Sequence, residues 1–117
     1  MKLLNLFRHP RELVDLSVEQ LSGILDKAPP IIVDVRTTRE FSAGHIPGAI
    51  SMPLGQEKMV AEKWPTDASL VLVCKTGHRS QAAAATLFHL GYTHVAHLQG
   101  GMDAWRRASM RTTEPRL

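Results

Sequence analysis

The chain has one cysteine in 117 residues. That excludes an internal disulfide and any cage of several thiolates, and it fits a reducing, cytoplasmic setting. Long hydrophobic runs are missing. The opening MKLLNLFRHPREL has only a short apolar patch, interrupted by Arg8, so neither a signal peptide nor a membrane span is expected. Clustered basic residues are missing too: the net charge is +3, without a Lys/Arg run or interleaved aromatics, and nucleic-acid binding is not expected. The mild positive balance fits attraction of small anions. Internal repeats and low-complexity segments are not evident. What remains, 44% hydrophobic and 21% charged residues, suits one soluble domain with a single core.

The lone cysteine, Cys74, lies within the stretch LVLVCKTGHRS, Leu70 to Ser80. Leu70–Val73 is an apolar run short enough for a buried strand, and Ser80 opens an alanine-rich helical run through Leu90, with Gly91 as its stop. Cys74 therefore falls where a strand ends and a helix begins. Backbone N–H groups and the positive end of the helix dipole converge there. A free thiol titrates near ~8.5, and in such surroundings beside cationic groups it falls to roughly 3.5–7.5. Lys75 and Arg79 supply the charges. A buried structural cysteine is the plainer alternative, but Lys, Thr, Gly, His and Arg are poor core material, and a reactive thiolate is the preferred reading.

Helices and strands alternate along the rest of the chain. Residues 1–15 read as an arm or strand laid on the domain. Ser17 and Gln20 form a capping box, with Leu16 and Leu21 as a staple, for a helix from Val18 to about Asp26. IIVDV, residues 31–35, is a core strand. Thr37 and Glu40 make a second capping box for a short helix through Ala43, stopped by Gly44. A turn at His45–Gly48, a brief strand at Ala49–Met52 and a helix at Gln56–Trp64 follow. His94–Leu98 is the last strand and Met102–Ala108 the last helix, in which Trp105 anchors the core. The domain is expected over residues 16–110, with a frayed polar tail at 111–117. This order argues an α/β domain around a parallel sheet, with ligands beyond the C-terminal ends of the strands.

At this level the motifs resemble a known family. CKTGHRS is similar to the active-site loop of the rhodanese sulfurtransferases, Cys-x-x-Gly-x-Arg-Ser. DVRTTREFSAGHIPGAISMP, residues 34–53, and GGMDAW, residues 100–105, resemble two further signatures, in the family's order. The resemblance implies a five-stranded, mostly parallel sheet flanked by helices. It also implies sulfur transfer: Cys74 takes the outer sulfur of a donor such as thiosulfate, carries it as a persulfide, and passes it to cyanide, a small thiol or a thiol carrier protein. No cofactor or metal is needed. The histidines at 89, 94 and 97 lack a recognised zinc spacing.

Within the loop, the N–H groups of residues 75–80 are expected around the sulfur. Arg79 either receives an oxyanion in its planar fork or braces the loop against a carboxylate. Lys75 either steers the donor or is simply solvated. Thr76 offers a hydroxyl to the sulfur or fills the loop. Gly77 supplies positive φ or close approach. His78 is a rim residue in preference to a proton-transfer group, since a thiolate already formed needs no base, and Ser80 is an N-cap. Asp34 and Arg36, two apart at the end of their strand, either pair as a brace under the loop, the preferred reading, or contact the substrate directly. His45 organises its turn. Two rivals remain. Phosphatases and arsenate reductases carry Cys-x5-Arg loops, whereas four residues separate Cys74 from Arg79 here, a tighter fit for one sulfur atom. The other is a non-enzymatic partner-binding or sulfur-carrier module. An exposed low-pKa thiol would also be open to oxidation.

Overall fold

Two apolar segments, residues 31–34 and 69–73, lie side by side because each is buried on both faces and can only sit inside a sheet. In the computed structural model, which describes residues 9–114, they become β2 (Ile31–Asp34) and β4 (Ser69–Val73). The other strands are β1 (Val14–Leu16), β3 (Ile50–Ser51) and β5 (His94–Leu98). The sheet order is β1-β5-β4-β2-β3, and every pairing is parallel. Residues 1–8 of the expected arm and 115–117 of the expected tail lie outside the described residues.

Strand alternation divides the core in two. Val33, Val35, Leu70, Leu72 and Cys74 face Val60 of α3 (Lys58–Lys63) and Ala83, Ala84 and Leu87 of α4 (Arg79–His89). Ile32, Val71 and Val73 face Val18 and Leu21 of α1 (Val18–Leu25) and Met102 and Trp105 of α5 (Gly101–Arg107). Ala83 and Ala84 of the alanine run are fully buried in this core. Cys74 continues the 70, 72 alternation, so its side chain is aimed beneath the start of α4.

Both capping boxes form as expected, at Ser17/Gln20 and Thr37/Glu40, the latter opening α2 (Thr38–Ser42). Other details differ. The first strand is Val14–Leu16, a segment read only as an arm or strand; its polar Asp15 hides the signal. The helix after the cysteine starts at Arg79, with His78 as its first flanking residue. Ser80 is therefore inside the helix rather than its cap. Part of the expected frayed tail is held: Thr113 exchanges two backbone hydrogen bonds with His45, and the Trp105 indole donates to the Arg111 carbonyl. His45 also stacks on Phe41, with ring centroids 3.6 Å apart, which fits its turn-organising role. No helix among the described residues is long and apolar enough to cross a membrane.

Candidate active site

The Cys74 sulfur accepts hydrogen bonds from the amides of Gly77, at 3.0 Å, and Ser80, at 3.4 Å. The Ser80 hydroxyl lies 3.5 Å from it. Of the six amides expected at the sulfur, two are thus placed there. Both belong to the loop that turns into α4, so the positive end of that helix also faces the sulfur. Gly77 makes the turn possible: its φ is +100°, and a Cβ there would stand 3.3 Å from the Gly100 amide nitrogen. Gly101 allows the second approach. A Cβ on it would collide with the Cys74 carbonyl oxygen. In its absence the amides of Met102 and Asp103 reach the carbonyls of Cys74 and Lys75 at 2.8 and 3.0 Å. The GG pair of the last motif is therefore a clamp on the cysteine loop.

One expectation is corrected outright. The thiol is not exposed: Cys74 has 0% of its surface accessible. The sulfur occupies a polar cup on the inner side of the loop, among the Gly77 and Ser80 amides and the Ser80 hydroxyl.

The charges are arranged differently from the simplest expectation. Arg79 directs Nη1 and Nη2 at the two carboxylate oxygens of Glu40, at 2.7 and 2.9 Å, which is the bracing alternative. Glu40 Oε1 also accepts from the Thr37 amide and hydroxyl. The Arg79 hydrogen bonds, with help from Thr37, hold the Glu40 carboxyl down to about 2 against the opposing effect of burial. Lys75 pairs with Asp103 at 3.0 Å in an exposed setting. The Thr76 hydroxyl goes to His78 Nδ1, at 2.9 Å, and not to the sulfur. Thr76 and His78 are exposed on the rim.

Asp34 and Arg36 do pair, through Arg36 Nε and Nη2 at 2.7–3.1 Å, and are buried. The segment they brace is a different one. Arg36 donates onward to the Gly44 carbonyl, which Arg106 of α5 also reaches. Residues 34 and 36 share the alternation of Ile32 and so lie on the sheet face opposite Cys74.

Three residues beside the cysteine carry no sequence motif. His97 is buried, with Nδ1 2.7 Å from the Ser80 hydroxyl and Nε2 2.7 Å from Asp15 Oδ1. His9 Nε2 reaches the same Asp15 oxygen at 2.6 Å. Burial pushes His97 below the ordinary histidine range, against the pull of Asp15. The hydrogen bond to Asp15 raises His9, and the His9 contact lowers Asp15. These three side chains each offer a ligand atom within 4.8 Å of the others, a grouping that the 89, 94, 97 spacing misses; shared hydrogen bonding to one carboxylate already accounts for it. The signal available in sequence was alternation: Val95 and His97 share the face of Cys74. A cleft of about 120 Å³ lies over this cluster, lined by His9, Asp15, Gly77, His78 and His97. A larger apolar hollow of about 540 Å³ sits at the N-terminal ends of β4 and β5, beside Ser69 and His94, away from the cysteine.

Comparison with known proteins follows the same outline. Residues 17–108 match the profile of the family described as "Rhodanese-like domain". A protein of Allochromatium vinosum named "Sulfurtransferase" is 34% identical over 102 residues, covering 86% of this chain and 95% of that protein. "Thiosulfate sulfurtransferase GlpE" of Pseudoalteromonas translucida is 31% identical over 99 residues, 85% of this chain and 94% of that protein. The solution structure of the rhodanese-like domain of an Anabaena protein superposes with a TM-score of 0.80 at 24% identity, covering 86% of this chain and 79% of that one, a likeness of fold.

Proposed function

The chain belongs to the rhodanese-like domain family, and from that premise we propose that it is a sulfurtransferase working through a persulfide on Cys74. The Cys74 thiolate attacks the outer sulfur of thiosulfate or a related sulfane donor. The donor's S–S bond breaks, and sulfite leaves with the electron pair. An acceptor nucleophile, cyanide or a thiol, small or on a carrier protein, then takes the terminal sulfur, and the Cys74 thiolate departs. One hard transfer becomes two displacements at sulfur.

The observation that carries this reading is the pair of amides, Gly77 and Ser80, directed at a single sulfur at the start of α4. Donors fixed in place stabilise an anion without reorganising, and they serve the thiolate in both halves of the cycle. Arg79, tied to Glu40, fixes the loop and leaves its positive charge beside the sulfur. Lys75, Thr76 and His78 form the rim that a dianionic donor meets first. Asp34 and Arg36 stiffen the neighbouring Gly44 segment.

The test is thiocyanate formation from thiosulfate and cyanide. The wild type turns over and Cys74→Ser does not. Turnover retained in Cys74→Ser contradicts the proposal. A second reading, a carrier or binding module, draws on the full burial of the sulfur; it predicts persulfide loading from a partner protein without turnover on small donors.

A further inference from the structure

A sulfur with no accessible surface cannot hand its proton to water directly. The geometry points to a relay, Cys74–Ser80–His97–Asp15, that takes the proton from the buried thiol and holds it on His97 while the sulfur is an anion. This deepens the sulfur-transfer reading and rests on it for the use made of the thiolate.

The hydrogen-bond chain fixes its own direction. Asp15 is a carboxylate and can only accept, so His97 Nε2, 2.7 Å away, carries a proton. In the neutral imidazole Nδ1 is then the acceptor, and its partner at 2.7 Å is the Ser80 hydroxyl. With its proton on Nδ1, the Ser80 oxygen is free to accept from the Cys74 thiol at 3.5 Å. Along this chain each donor, the Cys74 thiol, the Ser80 hydroxyl and His97 Nε2, points away from the sulfur and towards Asp15, while the Gly77 and Ser80 amides still donate to the sulfur. The transfer is balanced: the S–H bond breaks as an O–H bond forms on Ser80, and the old Ser80 O–H bond breaks as N–H forms on Nδ1. Thiolate and imidazolium result, and nothing is oxidised. Afterwards Nδ1–H donates to the Ser80 oxygen, and the hydroxyl hydrogen turns to the Gly77 carbonyl at 3.1 Å or to the sulfur itself.

The fold places these groups by register. Asp15 is the direct partner of His97 across β1 and β5. His97 pairs with Leu72 on β4, two residues before Cys74 and on the same face. The titratable groups around His97 are Asp15, His9 edge-on with ring centroids 5.6 Å apart, Cys74 through Ser80, and His78 across the cleft. Burial favours the neutral imidazole, ready to accept, and Asp15 stabilises the charged one. Asp15 and His9 reach solvent, so the proton has an exit.

The experiment is the pH profile of Cys74 alkylation by iodoacetamide, read by mass; the single cysteine makes every adduct a Cys74 adduct. Ser80→Ala and His97→Gln should alkylate about tenfold more slowly at neutral pH, as for a shift of one unit or more in the profile. They should approach the wild-type rate at alkaline pH, where a thiol ionises unaided near ~8.5. Asp15→Asn, at a half-exposed site, should show a smaller shift in the same direction. Superimposable profiles overturn the relay, as does a loss equal at every pH, which reports altered access alone. If the two buried variants do not fold, an unshifted Asp15→Asn profile overturns it. Iodoacetamide donates no sulfur, so persulfide loading, measured separately, decides the transfer reading independently.

Discussion

Glu40 and Arg79 lie 39 residues apart in sequence and meet through two parallel hydrogen bonds, Nη1–Oε1 at 2.7 Å and Nη2–Oε2 at 2.9 Å. The carboxylate that caps α2 thereby also fixes the start of α4, where the reactive loop ends. A planar fork on a carboxylate sets orientation as well as charge.

If Arg79 acts through this pair, a double-mutant cycle shows it. Arg79→Gln and Glu40→Gln should each slow sulfur transfer several-fold, and the double variant should be no slower than the worse single. The pair is about 30% exposed, so its coupling in stability should be about 1 kcal/mol after solvent screening. An Arg79→Gln loss far beyond that of Glu40→Gln, with additive effects, would place the guanidinium on the substrate instead.

The same pair predicts an acid dependence. Glu40 is held at about 2 in the fold against an ordinary 4.5. The unfolded chain therefore binds the proton first as pH falls. Stability from this group is full above pH 4.5 and drains between 4.5 and 2. Asp15, also lowered, acts in the same sense. Urea denaturation of the wild type against Glu40→Gln across that window should give a flatter dependence in the variant; equal slopes would argue against a charged pair.

Much of this was legible in the chain. Local signals held where a few neighbouring residues decide the outcome: the capping boxes at Ser17 and Thr37, the apolar strand into Cys74, and the alanine run packed on the sheet. Contacts between distant residues were not legible. Glu40 shows only its local capping role, because its partner is 39 residues away. His97 meets an Asp15 oxygen across 82 residues, and only the register of two edge-side strands brings them together. Asp34 and Arg36 pair as their spacing suggests, yet strand parity sends them to the wrong face for Cys74. Burial of the sulfur was hidden for a related reason: polar loop residues suggest exposure, while alternation from Leu70 and Leu72 turns Cys74 inward.

Gly101 should be intolerant of a side chain. Its φ is +58°, and a Cβ would overlap the backbone of Cys74 and Lys75. Gly101→Ala should cost at least about 2 kcal/mol in urea denaturation, since neither backbone can yield cheaply. A cost below about 0.5 kcal/mol, the range of ordinary surface changes, would mean that α5 does not clamp the loop.

Lys75 is partly neutralised by Asp103, with side-chain exposures of 56% and 34%. Asp103→Asn should lower the KM for an anionic sulfur donor, most clearly at low ionic strength, and should barely change stability. An unchanged or raised KM in steady-state assays would remove Lys75 from donor capture.

The most direct measurement is the intact mass of the protein after incubation with thiosulfate and removal of the excess. The account predicts a gain of one sulfur, about 32 Da, on Cys74 of the wild type, released by cyanide and absent in Cys74→Ser. A folded wild type that gains no mass from thiosulfate or any other sulfane donor would contradict it.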